Sequence, residues 1–412
     1  QHIIVIGAGL AGLTVAIALA KGGHQVELLE SAPEITYIGA GIQVSPNSSR
    51  ILRRLGVDKY IERYCTEPVD LRMMRWKDGQ ILVECPLKEP AQQDYKSPYW
   101  HIHRADLHRG LLEAAVDLGC KFHLDSRVVS VVSEAGSVLT KDDMKYSADL
   151  IVASDGLNSM ARAVVTGGPA APIPTGQMAY CVTLPAAKLR GILELEEIVT
   201  VPRNNHWLGP HGTILSYLLE GQKEPLINFV FICDVNEKDL PPGVDQRMGT
   251  ANEVRNSFKG WDPRIEKMLE FVEKVLYWRL DTHDPLASWS HPSHRLVLIG
   301  DAAHAMTPYL AQGAAMGIED AAILGALSAA LPLYEHLRLS RANKVAAASV
   351  ESRWFTQMED GEKQRERDAW LLLHPGIEEG HINIRSDKVW LDELFGYDAY
   401  QVLEEVLGGV PS

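Results

Sequence analysis

The chain opens on Ile3-Ile4-Val5-Ile6, an apolar run that reads as a buried strand, and turns at once through Gly7-Ala8-Gly9-Leu10-Ala11-Gly12. Helical spacing follows to about Gly22 through Leu13, Ala16, Ile17 and Ala20, and Gln25-Val26-Glu27-Leu28-Leu29 reads as a second strand. Strand, glycine turn, helix and strand make one βαβ unit, a connection that is right-handed in nearly every case. The glycines of a G-x-G-x-x-G turn have separate jobs. The first permits the tight turn, the second lets backbone approach a pyrophosphate, and the third lets helix and strand pack closely. The helix N-terminus then offers unpaired N–H groups and a positive dipole end to the phosphates. Glu30 closes the second strand, where its carboxylate accepts hydrogen bonds from a ribose diol and repels a 2′-phosphate. The unit predicts a dinucleotide site for FAD or NAD over NADP.

Composition narrows the rest. At 412 residues, 46% hydrophobic and 23% charged, the chain can bury a large core and calls for more than one domain. A net charge of −14 argues against a nucleic-acid partner. No apolar run reaches the roughly 18 residues of a membrane span. The five cysteines, Cys65, Cys85, Cys120, Cys181 and Cys233, are odd in number and scattered, with no C-x-x-C. They predict buried thiols in a reducing, cytoplasmic setting, with neither disulfides nor a metal site. The chain starts at Gln1 without an initiator Met, so an upstream targeting segment stays open.

Farther along, helical spacing covers 105–118, short strands fit 120–153, and alternating large apolar residues with Pro and Gly punctuation over 173–235 predict an antiparallel sheet. Helical spacing returns over 262–276, a strand fits 295–299, and an Ala/Gly-rich helix fits 313–331. The charged stretch 357–368 reads as a solvated helix face or loop. The expected fold is α/β: a Rossmann-like nucleotide-binding domain interrupted by an antiparallel β-sheet domain and followed by C-terminal helices. The first domain is assigned 1–70, 98–172 and 283–370, the substrate-binding sheet domain 71–97 and 173–282, and the C-terminal extension 371–412. No second glycine fingerprint and no paired redox cysteines occur, which excludes reductases of the two-dinucleotide type.

Two further segments carry a resemblance. Ile151-Val-Ala-Ser-Asp155-Gly156 through Arg162 resembles the "DG" fingerprint of flavoprotein aromatic hydroxylases, and Leu298-Ile-Gly300-Asp301 through Gln312-Gly313 resembles their "GD" fingerprint, continued by Met316-Gly317-Ile318-Glu319-Asp320-Ala321. Ile38-Gly39-Ala40-Gly41-Ile42-Gln43-Val44-Ser45-Pro46-Asn47, the Trp278–Trp289 region and the tail Trp390-Leu391 through Phe395-Gly396-Tyr397-Asp398-Ala399 are similar to the salicylate-hydroxylase-like subgroup. The resemblance implies the fold of para-hydroxybenzoate hydroxylase and a single-component FAD monooxygenase. Such an enzyme takes NADH or NADPH as a transient co-substrate and consumes O2. It passes one oxygen atom through a C4a-hydroperoxyflavin to an aromatic phenolic or salicylate-like molecule. It further implies cofactor contacts at Gly7, Gly9, Ala11, Gly12, Glu30, Gly41, Gln43, Arg104, Val128, Asp155, Gly156, Gly300, Asp301, Gln312, Gly313 and Ala314, and a monomer or homodimer.

For the substrate end, the resemblance points to the strand pair Asn205–Tyr217, with Tyr217 as the leading hydrogen-bonding group and His206 and His211 as candidate bases, since histidine titrates near neutral pH. Pro308 falls in the loop such enzymes place beside the flavin. Arg162 reads as a cofactor-proximal residue or a surface charge, Asn47 as a flavin contact or a buried turn residue, and Arg203 as a possible partner for a substrate carboxylate. An epoxidase or oxidative-rearrangement enzyme acting on an indole or other electron-rich scaffold would share every FAD motif.

Overall fold

The computed structural model describes residues 1–34, 40–221, 223–235 and 246–408; Ile38 and Gly39 of the quoted segment lie outside them. The opening unit forms as the sequence requires, with strand His2–Ile6, helix Leu10–Lys21 and strand Gln25–Leu29. It nucleates a five-stranded parallel sheet in the order Leu296–Leu298, Leu150–Ala153, His2–Ile6, Gln25–Leu29, Lys121–His123. The central strand is buried at Ile3, Ile4 and Val5 alike, as expected of a parallel strand covered on both faces. Each such side chain contributes about 1.5–3 kcal/mol of burial.

The Ala/Gly-rich composition of helix Gly313–Leu327 has a packing reason. A Cβ on Gly325 would fall 2.6 Å from Cβ of Ala18, and one on Gly317 would fall 3.0 Å from Cβ of Ala11, so small residues let this helix lie directly against Leu10–Lys21. That contact brings the two helix N-termini, one from each end of the sequence, to the same edge of the sheet.

The second layer is an eight-stranded sheet, ordered Gln246–Thr250, Lys274–Thr282, Ile173–Pro185, Leu226–Asp234, Gly212–Leu219, Asn204–Gly209, Asp70–Arg75, Ile81–Pro86. The pairings within 173–235 are antiparallel as expected, with one addition: Asn204–Gly209 also pairs in parallel with Asp70–Arg75, a strand from much earlier in the chain that no hairpin joins to it. Three boundaries also differ. The helix expected over 262–276 is Pro263–Leu269, and Lys274 already starts a strand. The helix from Gly313 ends at Leu327, and a separate 26-residue helix, Leu331–Thr356, begins after Ala330. In the charged stretch, Glu362–Leu373 is helical but buries Gln364, Arg367 and Asp368, so it is not a purely solvated face. The C-terminal helices Lys388–Phe395 and Ala399–Val406 fold back against the helices Pro46–Arg54 and Gly313–Leu327, and the Arg50 guanidinium donates to the carbonyl of Tyr397 at 2.6 Å.

Candidate active site

A continuous groove runs from the glycine turn to the face of the large sheet. Its outer part, about 340 Å³, is lined by Gly7, Gly9, Glu30, Val128, Asp155 and Gly156. Its inner part, about 480 Å³, shares Gly9, Ser154 and Gly156 and continues past Ala11, Gly41, Gln43, Arg104, Gly300, Asp301, Pro308, Gly313 and Ala314 to Tyr217.

The three turn glycines behave differently. Gly7 has φ +93°, and a Cβ there would meet the Ser154 carbonyl oxygen at 2.7 Å. A Cβ on Gly12 would meet the Gly7 carbonyl oxygen at 2.1 Å. A Cβ on Gly9 would meet nothing within 4 Å, and the residue lines both parts of the groove. Glu30 is fixed by the same turn: its carboxylate accepts from the Ala8 and Ala32 amides, each at 2.8 Å. Asp155 is half-buried, and desolvation raises its carboxyl above the usual range. Its oxygens accept from the Ser159 hydroxyl at 2.6 Å and the Met160 amide at 3.0 Å, so it caps the helix Met160–Thr166.

Farther in, Gly300 adopts φ +58°, ψ −141°, a conformation open in practice to glycine alone, and presents the exposed Asp301 at the start of a short helix. Asp320 holds that turn by accepting from the Gly300 amide at 3.0 Å and from His304 Nε2 at 2.6 Å. Burial pulls the Arg104 guanidinium below its ordinary range while the Asp301 charge opposes the shift. The first turn of helix Gly313–Leu327 lines the groove through Gly313, Ala314 and Gly317, and a helix N-terminus stabilises negative charge. Gln312 turns away: its Nε2 donates to Ser45 Oγ at 3.0 Å and its Oε1 accepts from Asn47 Nδ2 at 3.1 Å. Asn47 is therefore a buried structural residue.

Opposite stands the sheet. Leu215 and Tyr217 from one strand and Val230 and Ile232 from the next point to the groove with the period-two alternation of strands, and Trp278 stands at the margin. The Tyr217 ring packs on Gly41, where a Cβ would fall 2.4 Å from the ring, and lies 4.4 Å centroid to centroid from His101. Burial holds the Tyr217 phenol well above its ordinary pKa of 10. Gln43 is clamped from behind. Its Oε1 accepts from Tyr99 Oη at 2.6 Å and Asn204 Nδ2 at 3.1 Å, while its Nε2 donates to Asn204 Oδ1 at 3.3 Å.

Four candidates fall elsewhere. His211 occupies a hairpin turn at φ +57° with its side chain 62% exposed, between Asp234 and Glu359, and does not line the groove. His206 is buried one layer behind, donating through Nε2 to Asn204 Oδ1 at 3.0 Å, and burial keeps it neutral well below pH 6.5. Arg162 is no surface charge: it is buried and donates to the carbonyls of Ala302, Ala303 and Asp284, tying the DG helix to the GD segment. Arg203 pairs with Asp70 at 2.6 Å and Glu84 at 3.5 Å, outside the groove. The sequence reading missed Tyr99, His101, Leu215, Val230, Ile232 and Trp278. For Leu215, Val230, Ile232 and Trp278 the alternation within strands was available as a signal, but which face meets the groove depends on the partner layer.

A groove with an open middle glycine, a diol-accepting carboxylate at one end and a helix N-terminus at the other fits FAD. The FAD binding domain model matches residues 1–333. An FAD-dependent monooxygenase of Beauveria bassiana is 34% identical over 98% of this chain and 97% of its own length. A 3-amino-4-hydroxybenzoate 2-monooxygenase of Streptomyces platensis is 36% identical over 89% of this chain and 91% of its own. A 6-hydroxynicotinate 3-monooxygenase of Pseudomonas fluorescens is 32% identical over 87% and 93%. Among solved structures, a salicylate hydroxylase substrate complex superposes with a TM-score of 0.79 at 24% identity, covering 100% of this chain and 98% of that one. The chain belongs to the FAD binding domain family of FAD-dependent aromatic monooxygenases.

Proposed function

We propose that this enzyme hydroxylates a phenolic aromatic small molecule held between the bound flavin and the sheet face of Leu215, Tyr217, Val230 and Ile232. The observation that carries the reading is the shape of the inner groove: cofactor-binding backbone on one wall, an apolar sheet face with one phenol on the other. When bound, FAD accepts electrons from NADH or NADPH and activates O2. The chain's own groups do the rest. Gly7, Gly9, Ala11, Arg104 and Asp301 seat the phosphates and ribityl chain, Gly12 packs the turn behind them, and Glu30 and Val128 frame the adenosine end.

The apolar face orients the substrate ring and keeps bulk water from the reacting atoms. Tyr217 stays protonated through the working pH range, so its hydroxyl can accept the phenol's hydrogen bond or donate to the phenolate. Because both acceptor positions of Gln43 are occupied and one Nε2 hydrogen is used, its second Nε2 hydrogen is the group it offers to the groove. The Pro308 loop closes the flavin end. Residues 71–97 and 173–282 serve in this reading as the substrate domain and 1–70, 98–172 and 283–370 as the FAD domain. A test is oxygen uptake and NAD(P)H oxidation by FAD-loaded enzyme with a panel of phenols, hydroxybenzoates, hydroxynicotinates and indoles, catalase separating coupled turnover from peroxide release. Stimulation of both rates by a phenol without peroxide supports the reading; stimulation by indoles alone overturns it.

A further inference from the structure

Behind the Gln43 wall lies a second, smaller cavity of about 40 Å³, enclosed between the strands Asp70–Arg75 and Ile81–Pro86 and the C-terminal segment. Leu71, Cys85, Leu310 and Leu394 make it largely apolar, and Tyr95, Tyr99, Arg385 and Trp390 bring polar groups to its wall, the Tyr95 hydroxyl donating to Asp392 at 2.9 Å. Arg385 is the feature that needs explaining. Its Nη2 donates to the Tyr309 carbonyl, and its buried Nε has no partner. Among the described residues no carboxylate lies within ion-pair distance of it, whereas the buried Arg338 meets Glu319 and Asp320, and the buried Arg367 meets Asp368. A second donor on the same cavity, Trp390 Nε1, is likewise buried without a partner. Arg385 is partly buried as a residue, but a guanidinium whose Nε is held out of water without a partner or counter-charge is costly, and a chain that keeps one gains when an anion arrives. The cavity has the room of about three water molecules, enough for a carboxylate.

It also adjoins the proposed reaction site. Tyr99 lines the cavity and donates to Gln43, which lines the groove; Arg385 holds the carbonyl of Tyr309, the residue after Pro308. Resting on the hydroxylase reading above, we propose that Arg385 is the specificity-determining residue for a substrate carboxylate, and that the enzyme acts on an aromatic acid. The acid's ring lies on the Tyr217 face, and its carboxylate reaches the Arg385 cavity when the Tyr99–Gln43 hydrogen bond yields. The planar guanidinium fork suits a bidentate carboxylate, and a lysine would supply only a point charge.

The experiment titrates FAD-loaded enzyme with 2-, 3- and 4-hydroxybenzoate and the matching hydroxybenzamides, reading the flavin absorbance change, so that binding is seen without turnover. The acid of the best-bound pair is expected to bind at least tenfold tighter than its amide, with Arg385→Gln bringing that ratio near one at unchanged FAD content. Equal binding of acid and amide by the unmodified enzyme, or a ratio that survives Arg385→Gln, overturns the proposal. If Arg385→Gln does not fold, Arg385→Lys decides: a reduced ratio supports the bidentate site and an unreduced one overturns it. Sodium acetate is the remaining arm. If acetate raises the melting temperature in an Arg385-dependent way while hydroxybenzoates show no preference over amides, the cavity takes a free anion and the substrate assignment falls. An Arg385-dependent acid preference with no NAD(P)H oxidation on any aromatic leaves the subsite standing and removes the hydroxylase reading.

Discussion

At the scale of the residue, the two glycines Gly9 and Gly12 separate binding from folding. A Cβ at Gly9 meets no protein atom within 4 Å, so Gly9→Val is expected to fold with an unfolding midpoint close to that of the unmodified protein and to lose the yellow flavin absorbance. Gly12→Ala places a methyl 2.1 Å from a backbone oxygen and is expected to cost about 1–3 kcal/mol in urea unfolding. Equal loss of stability in both would show that Gly9 is a packing residue after all. Tyr217→Phe keeps the ring against His101 and Gly41 and removes only the hydroxyl. Its kcat is expected to fall about tenfold, the worth of one hydrogen bond, at unchanged melting temperature; an unchanged kcat would take Tyr217 out of the substrate's reach. His101 makes a pH prediction. It is wholly buried, both ring nitrogens lack partners, and burial lowers its pKa from 6.5 to about 3. The unfolded chain therefore takes up a proton below pH 6.5 that the folded chain refuses. Its stabilising effect is complete above pH 6.5 and is lost as pH falls from 6.5 towards 3, at up to about 1.4 kcal/mol per pH unit. Urea midpoints at pH 7.5, 6 and 5 should show that slope, and His101→Phe should flatten it; His206 acts in the same direction.

Among the elements, the helix Gly313–Leu327 links sequence to site most directly. Its Gly/Ala face was legible because only small residues permit the close approach to Leu10–Lys21, and its N-terminal position at the flavin end follows from the same contact. Its other face was not legible. Glu319 and Asp320 are fully buried and meet Arg338 from the next helix, while Arg341 joins through Glu319. Nothing in the spacing of 319, 320 and 338 announces that pairing, because the intervening break at Ala330 sets how the second helix returns. The same reason hid Arg162: a charge on a periodic segment looks solvated until the layer that covers it is known, while Arg385 lies in a turn that carries no periodic signal at all. Arg338→Met leaves the buried Asp320 without its guanidinium and Glu319 with Arg341 alone, and is expected to destabilise by about 3–5 kcal/mol. Since Asp320 also holds the Gly300 turn and His304, the variant should release FAD more readily. A midpoint within 1 kcal/mol of the original, by urea unfolding, would mean that water reaches those carboxylates.

Over the whole molecule, the two sheets were readable as classes of element and their meeting was not. A parallel strand wants cover on both faces and declares itself by unbroken apolar runs, as in 3–6 and 296–299; the large sheet declares itself by alternation, as in 227–233. The parallel insertion of 70–75 beside 204–209 is a matter of topology that local pattern does not carry. That topology makes the inner groove a junction. Gly9, Arg104 and Asp301 belong to one layer and Tyr217, Val230 and Trp278 to the other, so a flavin bound there touches both. A ligand that binds only the assembled form stabilises it by RT ln(1 + [L]/Kd), about 2.7 kcal/mol at a hundredfold excess over Kd. Deflavinated protein is therefore expected to melt at a lower temperature and to recover as FAD is added, with the midpoint rising in proportion to the logarithm of free FAD. Calorimetry distinguishes two forms of that rise. If the halves unfold together, one transition moves upward as a whole. If the FAD domain unfolds alone, only one of two transitions moves, and the large sheet's part in holding the cofactor would have to be given up.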